Sequence, residues 1–118
     1  MNMTLRSFAV AVRQLPETLS ASQGRLFLME LEDYLAFDRP SIVLDCSKMR
    51  QMDRPAIHLL LRCLEEAMMR NGDVRLAAVP EGAKEILELI GVSRLFEMFD
   101  TDAGAVSSFH QSPLDAAR

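Results

Sequence analysis

Several features that announce common chemistries are missing from this sequence. No apolar run approaches the roughly 20 residues that a membrane span requires. The start, Met1-Asn2-Met3-Thr4-Leu5-Arg6, has no long apolar region of the signal-peptide kind, so the expected location is the cytoplasm and no membrane insertion is expected. An excess of basic charge is missing as well: 13 Lys and Arg against 17 Asp and Glu give a formal net charge of -4. Nucleic acid is therefore not an expected partner, because phosphate binding rewards basic patches. Only two cysteines occur, Cys46 and Cys63, each inside an apolar stretch. Two isolated thiols make no zinc motif, and a reducing cytosol disfavours a disulfide, so both are expected to be small core residues.

Catalytic arrangements are equally scarce. Gly24, Gly72, Gly82, Gly91 and Gly104 are too dispersed to form a phosphate loop. His58 and His110 have no serine, cysteine or carboxylate arrangement around them that suggests nucleophilic or acid–base catalysis. A phosphoryl receiver needs clustered acidic residues at strand ends to hold a divalent metal. Asp45 and Asp53 are the nearest candidates, and they lack a third acidic partner at the first strand end. No enzymatic activity, metal or cofactor is expected.

What remains is an ordinary folded chain of 118 residues, 49% hydrophobic, long enough for one domain with a real core. Phe8 to Val12 reads as a short strand ended by Leu15-Pro16-Glu17. Ser20 to Phe37 has the spacing of an amphipathic helix, with Phe27 or Leu28, Leu31, and Tyr34 or Leu35 inward and Ser20 or Ser22 as its cap. Ser41 to Cys46 is a near-continuous apolar run of the type buried on both faces of a sheet. A second helix runs from about Pro55 to Arg70, its inward stripe Ile57, Leu60, Leu61, Leu64, Ala67 and Met68, and Asn71-Gly72 stops it. Asp73 to Val79 is a third strand. Pro80-Glu81-Gly82 opens a third helix with Ala83, Ile86, Leu87 and Ile90 inward. Leu95 to Phe99 suggests a last strand, and Thr101-Asp102 can cap a final helix reaching about Phe109.

Strands alternating with helices through short links imply an α/β fold: a small, mainly parallel or mixed sheet of four to five strands, with about four helices packed largely on one side. Residues 1–110 form a single domain in this reading, and residues 111–118 a flexible tail.

Three stretches, taken in order, resemble the STAS family, the sulfate transporter and anti-sigma factor antagonist domains. They are "SIVLDCSKMRQMD", the Asp53 junction leading through an apolar helix to "NGDVRLAAVP", and "EILELIGVSRLFEMFDT". The resemblance implies a non-enzymatic regulatory module that docks on an anti-sigma factor, itself a serine/threonine kinase of the GHKL ATPase type, and so frees a sigma factor for transcription. In that family the second helix begins with an aspartate followed by a hydroxyl residue, which accepts the phosphoryl group. Here those positions read Asp53, Arg54, Pro55, Ala56. Arg54 stands where the hydroxyl is expected, so the phosphorylation switch does not carry over. Nor does a guanidinium imitate a phosphate, which adds about -1.5 to -2 charge.

The expected partner-binding residues are Met52, Asp53, Arg54, Pro55, Ala56 and His58. Pro55 suits the first helical position, which makes Arg54 the expected cap residue. Met49, Met52, Met68 and Met69 are candidates for an adaptable contact surface around that helix. Ser47 is the one hydroxyl left in the loop from Ser47 to Ala56, and ordinary loop chemistry explains it. An alternative reading is a STAS subunit of an ABC-type lipid-transport ATPase complex, and a homodimer is the other open assembly.

Overall fold

The computed structural model describes residues 10–36 and 38–110. The expected strand start at Phe8 and Ala9, the helix end at Phe37 and the tail 111–118 lie outside the described residues. Four strands, β1 (Val10–Gln14), β2 (Ser41–Asp45), β3 (Asp73–Ala77) and β4 (Met98–Phe99), alternate with four helices, α1 (Ala21–Leu35), α2 (Arg54–Met68), α3 (Glu81–Leu89) and α4 (Asp102–His110). All strand pairs are parallel, and the strands lie in the order β1-β2-β3-β4. Each right-handed crossover in such an order places its helix on the same face. Accordingly α1, α2 and α3 bury one large core against Ile42, Leu44, Val74 and Leu76, and α4 covers the opposite face over Val43 and Ala77.

Burial selects among the alternatives left open by periodicity. In α1, Phe27, Leu31 and Leu35 face the core, Tyr34 stays exposed, and Ser20 is the cap. Gln23 N–H donates to Ser20 Oγ at 3.2 Å and Ser20 N–H to Gln23 Oε1 at 2.8 Å, a reciprocal capping box. In α2 the inward stripe is rotated by about one position from the expected one: Ala56, Leu59, Leu60, Cys63, Leu64 and Ala67 are buried, and Met68 is exposed. In α3 only Ala83 and Leu87 are buried, and the expected core residues Ile86 and Ile90 are exposed. Both cysteines are free and buried, as their apolar settings suggest, and burial pushes each thiol up to about 12. Thiols held so far above neutral pH are poor nucleophiles.

Local backbone chemistry fixes the element ends. Helix α2 closes in a Schellman motif: Gly72 N–H donates to Ala67 O at 2.8 Å and Asn71 N–H to Met68 O at 3.0 Å, with Asn71 at φ 64°. A Cβ at Gly72 would collide with the Pro40 backbone, so this glycine is required by close approach. Strand β3 stops at Ala77, short of the expected Val79, because Ala78 turns to φ 55° and its N–H donates to Phe99 O at 2.8 Å. Leu95, expected in the last strand, belongs instead to a 3-10 turn over Ser93–Leu95, leaving β4 only two residues.

Helix α4 meets the sheet at both ends. Near its C-terminus, Arg75 on β3 donates to Ser108 Oγ and lies 4.0 Å from the centre of the Phe109 ring. Near its N-terminus, the Asp102 carboxyl meets that of Asp45 at the end of β2. Desolvation and the Asp45 contact raise the pKa of Asp102. Burial would likewise raise that of Asp45, but the hydrogen bonds from Ser47, including its N–H at 2.9 Å, and from Asp102 outweigh burial and lower it. Asp102 Oδ1 is buried without a hydrogen-bond partner among the described residues.

Two stability changes are expected. Gly72→Ala should lose about 1–3 kcal/mol in chemical denaturation, since the Pro40 backbone must move. The raised Asp102 pKa favours folding while the group is protonated, and that contribution disappears as pH rises through the folded pKa. Asp102→Asn should therefore raise Tm by about 2–4 °C near pH 7, and the gain should shrink as pH falls through the raised folded pKa of Asp102, where the wild-type group is itself protonated. The side chain keeps some solvent contact, which holds the effect to this modest size.

Candidate functional site

The start of α2 lies at the edge of the sheet where β2 ends, one loop beyond Asp45. Its cap is Asp53, not Arg54. Asp53 is extended, at φ -95° and ψ -176°, and its Oδ1 accepts from Ala56 N–H at 3.4 Å. Arg54 is the first helical residue and Pro55 the second. A carboxylate caps a helix better than a guanidinium can, and a proline is tolerated anywhere in the first turn, where its missing N–H has no intrahelical partner. Arg54 therefore takes helical geometry despite preceding a proline, which disfavours that conformation.

This cap seals the helix tip. Asp53 takes the Ala56 N–H, Pro55 has none to offer, and Ile57 N–H already donates to Asp53 O at 3.0 Å. Little remains there to cradle a phosphate through backbone donors. The positive charge comes instead from the side chain of Arg54, which is exposed and forms no ion pair among the described residues.

Of the residues expected to meet a partner, the structure brings Asp53, Arg54, Pro55 and His58 to the surface together, with Pro55 half-buried. Met52 and Ala56 are corrections: both pack in the core, at 4% and 0% exposure, and offer no side chain to a partner. Met49 is buried likewise, so the methionine surface reduces to Met68 and Met69 at the far end of α2. Ser47 is exposed, receives a hydrogen bond from Gln14 Nε2 at 3.4 Å, and caps nothing in α2. Among the described residues no three acidic, histidine or cysteine side chains are grouped to hold a metal ion. No helix among them is long and apolar enough to cross a membrane.

A groove of about 410 Å³ opens between the first turns of α1 and α2. Gly24 and Leu28 of α1 and Pro55 and Leu59 of α2 contribute its apolar surface, and Arg25, Arg54, His58 and Arg62 its polar one. Sequence reading missed Gly24, Arg25 and Arg62 because the groove joins two helices that are distant in the chain. The signal that could have found part of it is the spacing of Arg54, His58 and Arg62, four residues apart on one side of α2.

Comparison with known proteins places this geometry. No curated protein sequence matches the chain. The family model described as "STAS domain" matches residues 9–105. Among solved structures, an anti-sigma-factor antagonist (STAS) domain protein from Planctomyces limnophilus is similar with a TM-score of 0.76 at 16% identity, covering 88% of this chain and 93% of that one. A candidate anti-sigma factor antagonist from Thermotoga maritima gives 0.71 at 18% identity, covering 86% and 88%. The STAS domain of a SulP transporter from Vibrio cholerae gives 0.68 at 16% identity, covering 84% and 79%. At such identities the structures speak for the fold alone. Together with the family match over residues 9–105, they complete the assignment: the chain belongs to the STAS domain family.

Proposed function

We propose that this domain is a non-enzymatic docking module of the anti-sigma factor antagonist kind, which binds a kinase-type anti-sigma factor through the start of α2 and is not released by phosphorylation there. The observation that carries the reading is the state of that helix start. Asp53 caps α2 and the helix is intact, while the next position holds an exposed arginine in place of the hydroxyl that the family resemblance leads one to expect. The fold kinship with proteins named as anti-sigma factor antagonists supports the partner class. A partner normally expelled by a phosphoserine would instead meet a permanent positive charge, so binding should be constitutive with respect to ATP.

The test is to purify the domain with a GHKL-type anti-sigma factor from the same organism and measure the complex with and without ATP. Affinity is expected to change less than about twofold on adding ATP, with no phosphate mapped to the loop from Ser47 to Ala56. Arg54→Ser should introduce phosphorylation at position 54 and an ATP-dependent loss of the complex of about tenfold or more, the scale expected when a phosphate intrudes on a docked surface. Phosphate on Ser47 of the unaltered chain, with release of the partner, would overturn the proposal.

A further inference from the structure

The chain carries more acidic than basic residues, yet every charged side chain lining the groove between α1 and α2 is an arginine. Arg25 and Arg54 are exposed and form no ion pair among the described residues. Arg62 reaches Glu65 and Glu66 only at 3.7 and 3.5 Å. Exposed pairs at such separations hold a guanidinium weakly and leave it available to a better acceptor. Both helices that frame the groove lack an acidic residue in their first turn, whereas α3 and α4 have Glu81 and Asp102 there. The positive ends of α1 and α2 therefore add to the arginine field without local compensation beyond their caps.

The apolar part of the groove matters equally. Gly24 is buried against Leu59, and a Cβ there would already be in van der Waals contact, 4.0 Å from Leu59 Cβ, so the two helices close the floor of the groove. The apolar surface that the groove offers is that of the half-buried Leu28 and Pro55, flanked by the cations. Arg54, His58 and Arg62 stand at successive turns, so the row spans about 12 Å along α2 at 1.5 Å per residue. A single small anion would satisfy one of these groups. Several carboxylates spread along a chain would satisfy them all, and guanidinium–carboxylate pairing is strong and directional.

From this complementarity we propose that the groove binds an acidic, apolar segment of a partner protein, with aspartates or glutamates set against Arg25, Arg54 and Arg62 and an apolar side chain seated against the half-buried Leu28 and Pro55. The inference deepens the proposed function, and rests on it in taking the occupant to be protein. The helix start then selects its partner by charge, in place of the phosphorylation that Arg54 precludes.

A random heptapeptide library displayed on phage and panned against the full chain tests this directly. Enriched peptides should carry at least two acidic residues beside Leu, Ile, Phe or Met, and their affinity should fall as salt rises. Arg25→Glu combined with Arg54→Glu changes only exposed side chains; it should weaken the enriched peptides about tenfold or more, while Arg25→Lys with Arg54→Lys should keep most of the binding. Leu28→Ala, which trims the half-buried apolar wall, should weaken them about threefold or more with circular dichroism unchanged. No enrichment, a neutral or basic motif, indifference to the charge reversal, or tighter binding of decanoate or inorganic phosphate would each overturn the proposal. The anti-sigma factor complex, measured on the same variants, separates the two readings. Peptide binding without any complex defeats the proposed function and leaves the groove inference standing; a complex that tolerates the double charge reversal, with no acidic peptides enriched, does the reverse.

Discussion

The constraint on which this molecule turns is the order of its parallel strands. With β1, β2, β3 and β4 added one beside the next and every crossover right-handed, the three connecting helices have no choice of face. They must lie side by side, parallel to one another, with their first turns at the same edge of the sheet. The neighbourhood of α1 and α2 at that edge, and so the groove between them, follows from connectivity before any particular side chain is considered. The same rule leaves the other face bare, and α4 is the element that covers it, tied down by Arg75.

Much of this could be read from residues because local and global preferences agree. The apolar run Ser41–Asp45 is central in the sheet, Asn71 and Gly72 end α2 by a named hydrogen-bond pattern, and Ser20 caps α1 as its hydroxyl suggests. Reading failed where tertiary contacts choose among locally equal options. Periodicity cannot say whether Ile57 or Leu59 is the centre of a stripe that both belong to, and packing against the sheet chose Leu59. Ile86 and Ile90 have the right spacing to be core, but α3 is short and reaches the sheet only through Ala83 and Leu87. Proline rules pointed to Arg54 as the cap; the better hydrogen-bond acceptor one position earlier overrode them. The burial of Met52 and Ala56, in turn, depends on how the loop after β2 folds back beneath α2, which no local pattern encodes.

The arginine at the start of α2 illustrates a separation of roles that is common at functional edges. Asp53 satisfies the backbone, Pro55 stiffens the entry, and neither needs Arg54. A cation in the first turn loses roughly 0.3–1 kcal/mol against the helix dipole, and no ion pair among the described residues offsets that cost. Local folding physics thus explains every neighbour of Arg54 but not Arg54 itself. Residues of that description are where function is most economically sought. The buried thiols make the opposite case, since burial fully accounts for Cys46 and Cys63 and leaves no chemistry to assign to them.

The placement of α4 also bears on how the chain acquires its structure during synthesis. Each β-α-β unit from β1 to β4 can pack as it leaves the ribosome, because every strand pairs with the one made just before it. Among the described residues the face carrying Val43, Ala77 and Phe99 has no such early cover, since the helix that shields it follows all four strands. A nascent chain of this kind passes through a stage with one finished core and one naked sheet surface. Any chaperone acting on it would meet that surface first.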